Sequence, residues 1–224
     1  MSEPIADRLR ALYRSNDMAR VDKVLADRPD LEGSENPRDR LMLATVAAIK
    51  RDAERLHRFS ETLSRDQFTD PADLADFGLV AMVRGDIETA EATFTQLVEA
   101  GQADGFVYAR LGALQIFKAE FDRAAENLRT ALTHLPDRPE LLSNLGGIRL
   151  RQNRLDEALE YYDRALNLDP EFSVAKQQRG RVQVALGRQA EALREREAEL
   201  EQNPDDIDAH LALANLQAQL ENHE

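Results

Sequence analysis

Residues Pro139 to Phe172 read PELLSNLGGIRLRQNRLDEALEYYDRALNLDPEF, and this stretch decides how the rest of the chain is read. Leu145 and Tyr162 fall at the spacing of amphipathic helices whose larger residues fill the layer between them. Gly146 and Ala158 are small, as required where two antiparallel helices joined by a short turn approach closely. Pro170 follows the second apolar pattern, where a residue without a backbone donor stops a helix and turns the chain away.

The same residue types recur on both sides at matching offsets. Leu111-Gly112 and Arg179-Gly180 repeat the Leu145-Gly146 pair, Ala124 and Ala192 repeat Ala158, and Pro136 and Pro204 repeat Pro170. The period is about 34 residues, the signature of a stacked repeat. Residues 105–138 hold Tyr108, Leu128 and Ala131 in register, and residues 71–104 hold Leu74, Phe77, Gly78, Gly85, Ala90, Phe94 and Leu97, with Gln102 where proline is expected. Residues 173–206 carry Gly180, Gly187 and Pro204, but Arg179, Arg196 and Glu199 replace apolar or small residues, so this copy is expected to be looser or more solvated. Gly112, Gly146 and Gly180 are expected to face Ala124, Ala158 and Ala192, and Gly85 and Gly187 to serve the turns.

These residues resemble the tetratricopeptide repeat. The resemblance covers residues 71–206 and implies an all-α fold, a right-handed superhelical solenoid of antiparallel helix pairs with no sheet, in four copies: 71–104, 105–138, 139–172 and 173–206. Upstream, Leu41, Leu43, Val46, Ala47 and Ile49 suit one helix and Leu56, Phe59 and Leu63 its partner, so 37–70 reads as a degenerate repeat. Ile5, Leu9, Leu12 and Tyr13, then Met18, Val21, Val24 and Leu25, form an N-terminal helical pair in 1–36 that serves as a cap or further degenerate copy. The turn formers of DLEGSENP, Asp30 to Pro37, mark a flexible joint. Residues 207–224 supply a capping or truncated first helix, with Leu213, Leu216 and Leu220 on one face and Ile207, Leu211 and Ala214 on another. A solenoid needs its last apolar face covered, which points to a second subunit or to chain continuing past Glu224.

Composition narrows the chemistry. The net charge of -13 argues against a phosphate-neutralising surface, hence against nucleic acid as partner. There is no cysteine, so no disulfide, thiolate metal site or cysteine nucleophile is available. The first twenty residues place charges every few positions, which excludes a secretory signal or membrane span there and points to a soluble, cytoplasmic, bacterial protein without membrane insertion. Glu54 and His57 have the Glu-x-x-His spacing of carboxylate-bridged metal sites, but such sites need two of these motifs, and here the pair reads as a solvated helix face. His134, His210 and His223 are isolated, and no nucleophile and base stand together. Tyr162 reads as core and Tyr161 as its edge. No catalytic, cofactor or metal residue is therefore expected.

Function follows from the resemblance alone. In this family stacked first helices line a concave surface that holds a segment of a partner, and by register that surface includes Leu79, Met82, Phe106, Ala109, Arg110, Ala113, Phe117, Asn144, Gly147, Arg151, Val174, Gln177, Gln178 and Arg181. Phe106 and Phe117 suit hydrophobic anchors and the arginines suit carboxylates. The carboxylate clamp of chaperone-binding members is absent, and so is the asparagine ladder of the glycosyltransferases, because Asp76, Arg110 and Gln178 stand where Asn144 would repeat. The expectation is a noncatalytic scaffold or adaptor that binds a protein or peptide partner with affinity on the order of micromolar. The alternative is the N-terminal recognition region of a larger sulfotransferase, glycosyltransferase or methyltransferase. A homo-oligomer through the C-terminal helix is a third outcome.

Overall fold

The computed structural model describes the backbone of residues 4–187 and 189–221, with side chains except at 189–192, 216 and 218–221. Every regular element among the described residues is helical. In chain order these are α1 Ile5–Arg14, α2 Met18–Ala26, α3 Pro37–Lys50, α4 Ala53–Ser60, α5 Pro71–Val83, α6 Ile87–Glu99, α7 Gly105–Phe117, α8 Phe121–His134, α9 Pro139–Arg151, α10 Leu155–Leu168, α11 Ser173–Ala185, α12 Gln189–Gln202 and α13 Ile207–Glu221. Pro136, Pro170 and Pro204 all lie just past a helix end, as their missing donor predicts.

The turns carry a regularity that the sequence reading only partly caught. Arg51, Gly85, Ala119, Asn153 and Gly187 all have left-handed backbones, with φ of 57°, 85°, 60°, 58° and 72°, and each stands 34 positions after the last. At the first four the amide of the following residue reaches back to a carbonyl five positions earlier, from Asp52 to Ala47, Asp86 to Ala81, Glu120 to Gln115 and Arg154 to Arg149. This satisfies a carbonyl left open by the ending helix. The next helix then starts at once: Asp52 and Asp86 also accept the backbone amides of Arg55 and Thr89, capping α4 and α6. Glycine is present at only two of the five sites, so the period is visible in backbone conformation where residue identity hides it.

The chain divides into two compact units, Met1–Leu114 and Gln115–Glu224. In the first, α3 packs on α4 and α5 on α6. One core there runs from Leu31 through Leu41, Phe59, Leu74 and Phe94 to Leu111, while Ala6, Leu9, Tyr13, Val21, Val24, Met42 and Val46 form another between α1, α2 and α3. In the second unit α9 packs on α10 and α10 on α11 around Leu142, Ala158, Tyr162, Ala165, Ala175 and Val182, and α12 packs on α13.

Several expectations need correction. A Cβ added to Gly146 would lie 2.9 Å from the ring of Tyr162, and one on Gly78 would lie 2.5 Å from the ring of Phe94, so these glycines face the large residue sixteen positions on. The alanines twelve positions on, Ala90 and Ala158, are buried as well. Gly180 faces the guanidinium of Arg196 at 3.9 Å, while Ala192 lies outside the described side chains. The 173–206 copy is not simply more solvated: Arg196 occupies the core slot of Phe94 and Tyr162 and is buried, its Nη1 donating to Glu199 and its Nη2 to the carbonyl of Lys176. Arg179 binds Asp163 and Glu195. The joint at Asp30 to Pro37 is tied down, because Pro29–Gly33 forms a 3-10 turn, Leu31 is buried, and Glu32 pairs with Arg55 and Arg58. Ile49 leaves the apolar face of its helix and is exposed.

Candidate functional site

In the first unit the face of α5 is covered by α1. Arg10 donates from Nε to Asp76 at 2.8 Å and from Nη2 to Asp73 at 2.5 Å, and Tyr13 donates its hydroxyl to Asp76. Arg14 binds Asp104 at 2.6 Å and lays its guanidinium 5.1 Å from the ring centre of Phe106. Arg38 of α3 joins Asp7 at 2.8 Å to Asp73 at 3.0 Å, and Arg110 donates to the carbonyl of Ala75 at 3.2 Å.

These charges sit away from water. Asp76 has no exposed surface and Arg10 keeps 7%. Burial disfavours the Arg10 cation, but Asp76 and Asp73 more than reverse this and raise its pKa. Tyr13 is pushed above the ordinary tyrosine value by burial and by the adjoining Asp76 charge. Arg110 is lowered by burial, which Asp76 and Tyr13 only partly offset. The cluster joins residues 63 to 66 positions apart, a pairing that no local spacing in the sequence signals.

The expected groove residues divide accordingly. Phe106 and Arg110 belong to this α1-covered face, Leu79 is buried and Met82 packs against the core. Ala109 is half-buried and Ala113 exposed.

In the second unit an open groove of about 760 Å³ lies between α11 and α13 with α12 at its base. Val174, Gln177 and Arg181 of α11 line one wall, and Asp208, Leu211, Ala212 and Asn215 of α13 the other. Gly180 lacks the side chain that would roof Arg196, whose buried guanidinium therefore forms part of the floor with Glu199 and Lys176. Gln178 accepts from Arg181 at 3.3 Å at the rim. Phe117 is 78% exposed, Arg151 is exposed with its guanidinium 5.9 Å from the ring of Phe121, and Asn144 and Gly147 are half-buried. Ile207, Leu211 and Ala214 stand exposed along one side of α13, whereas Leu216 and Leu220 lie outside the described side chains.

Glu54 and His57 are both exposed on α4. Among the described residues no group of three or more histidine, cysteine or acidic side chains is placed to hold a metal ion. No helix among them is long and apolar enough to cross a membrane.

The sequence model of the tetratricopeptide repeat family matches residues 110–171, which hold α8, α9 and α10 with their left-handed turns. The whole-chain fold is similar to solved tetratricopeptide proteins. The chain resembles one in a crystal structure of the APC/C hetero-tetramer Cut9-Hcn1 with a TM-score of 0.70 and 15% identity, covering 94% of this chain and 42% of that one. MamA from Desulfovibrio magneticus RS-1 gives 0.62 and 19% identity over 77% of this chain and 99% of its own. YrrB, described as a tetratricopeptide protein with an unusual peptide-binding site, gives 0.59 and 19% identity over 78% and 90%. At such identities the likeness is one of fold. A comparison with curated proteins finds no match.

Proposed function

We propose that this chain is a noncatalytic interaction module that binds an extended or helical segment of another protein, using the first-helix faces of its tetratricopeptide repeats. The observation that carries this reading is the open groove of the second unit, where Val174 and Leu211 expose apolar surface beside Arg181, Lys176 and Asp208. Apolar surface with a few polar groups around it is what a peptide anchor and its flanking charges require. In this reading the repeats are assigned to 71–104, 105–138, 139–172 and 173–206. The peptide-binding site named for YrrB and the hetero-tetramer named for Cut9-Hcn1 show that related folds serve association, which supports the same class of role here.

The test is partner capture from native lysate with the intact chain and with a Val174→Asp/Arg181→Glu variant. A partner held by the first and lost by the second, with helical content unchanged, is the expected result. Equal capture by both places binding elsewhere and removes this groove from the account.

A further inference from the structure

A second binding face is already occupied by the chain itself. In the first unit, Asp73 and Asp76 of α5 and Asp104 at the start of α7 are met by Arg10, Tyr13 and Arg14 of α1 through four directed polar contacts. We propose that α1 is a displaceable ligand held in cis. The α5 face is then a recognition site for a partner helix that presents an arginine, with a tyrosine three and an arginine four residues later. This goes beyond the groove of the second unit, although it rests on the same reading that first-helix faces bind protein segments.

Three observations carry it. Towards α5 and α7 the contact of α1 is polar, whereas α3 with α4 and α5 with α6 are joined through apolar cores; the apolar residues of α1, Ala6, Leu9 and Tyr13, pack instead with α2 and α3. Buried ion pairs lose much of their attraction to desolvation, so they fix orientation while adding little net affinity beside apolar packing. Next, α1 has ten residues, too few to persist as a helix unless docked, so its release gives up the polar set together with its apolar contacts to α2 and α3. Lastly, the face is short of positive charge without α1. Arg38 still answers Asp73 and Arg110 still lies near Asp76, but Asp76 loses both its Arg10 and Tyr13 donors and Asp104 loses Arg14. A vacated face therefore selects a helix that returns cations and a hydroxyl at the same spacing. Ala6 and Leu9 of α1 are buried with Met42 and Val46 of α3, so the competing helix also needs an apolar edge for α3.

The probe is a fluorescent synthetic peptide of residues 4–26, which spans α1 and α2, followed by anisotropy at low salt. Full-length chains are compared: the natural sequence, an Arg10→Ala/Arg14→Ala variant with a weakened cis contact, and that variant with Asp73→Asn/Asp76→Asn added. Because apparent affinity scales with the fraction of open sites, the weakened chain is expected to bind the peptide roughly tenfold or more tightly than the natural one. Adding the aspartate changes should abolish this gain. Peptide binding no better in the weakened chain, or undiminished by the aspartate changes, overturns the proposal. Should the weakened chain lose its helical circular dichroism, amide exchange on the natural chain decides. Exchange of residues 5–14 through an opening separate from α3 and α5, faster in high salt, supports the proposal, and exchange only with global unfolding overturns it. None of these readouts uses a natural partner, so failure of lysate capture and failure of this proposal remain distinct.

Discussion

Gly146 and Gly180 hold equivalent places in successive repeats, yet their surroundings give opposite expectations. At Gly146 a methyl would meet the Tyr162 ring edge at 2.9 Å, inside normal contact, and a packed ring cannot withdraw without disturbing the core. Gly146→Ala should therefore destabilise the chain by about 1 to 3 kcal/mol, seen as a lowered urea midpoint. At Gly180 the nearest atom is an arginine nitrogen at 3.9 Å, so Gly180→Ala should be neutral or should raise stability by about 0.5 to 1 kcal/mol through better helix propensity. Equal losses at the two positions would contradict the packing described here. The sequence marked both glycines as sites of close approach; Gly146 is one, with the Tyr162 ring sixteen residues on as its nearest neighbour, whereas Gly180 has an arginine at that place and only ordinary contact distance. Arg196 shows the same limit from the other side. Its charge suggested solvent, whereas its slot in the repeat placed it inside and Glu199 with the Lys176 carbonyl made that tolerable.

Between α9 and α10 the buried Tyr162 also couples folding to alkaline pH. Burial pushes its hydroxyl up to about 12 from 10, so the folded chain keeps this proton over a range in which the unfolded chain releases it. The stability this provides is complete below pH 10 and is lost as pH rises towards 12, roughly 2 to 3 kcal/mol over the whole window. Urea unfolding from pH 9 to 12 should show a steeper decline for the natural chain than for Tyr162→Phe. Parallel declines would mean that the hydroxyl is not held protonated by the fold. At this scale the helices themselves were legible, because apolar period, small residues and terminal prolines recur together in α7 to α11. What could not be read was the use of α1. Its apolar residues announced a helix, but its pairing with Asp73 and Asp76 is a tertiary fact that neither period nor composition encodes. Four of the expected groove residues, Leu79, Met82, Phe106 and Arg110, thus meet the core or the face beneath α1.

Across the whole molecule, cohesion comes from neighbour to neighbour. Within the first unit α3 packs on α4 and α5 and α5 on α6, and within the second α8 packs on α9, α9 on α10 and α10 on α11. In such an array stability is nearly a sum of local and nearest-neighbour contributions. Gly146→Ala should accordingly speed amide exchange in α9 to α11 while leaving α3 and α4 close to their natural rates, as mass-resolved exchange of peptides would show. A uniform increase from α3 to α11 would mean that the chain unfolds as one block. The left-handed positions at 51, 85, 119, 153 and 187 bear on how such a chain changes length. Each interval between them begins and ends at the same backbone joint, so one interval can be cut out or copied with both seams left chemically equivalent. Gain or loss of a single 34-residue cassette is then the least disruptive alteration of length open to its gene, whereas an odd insertion inside a helix shifts every contact of that pair.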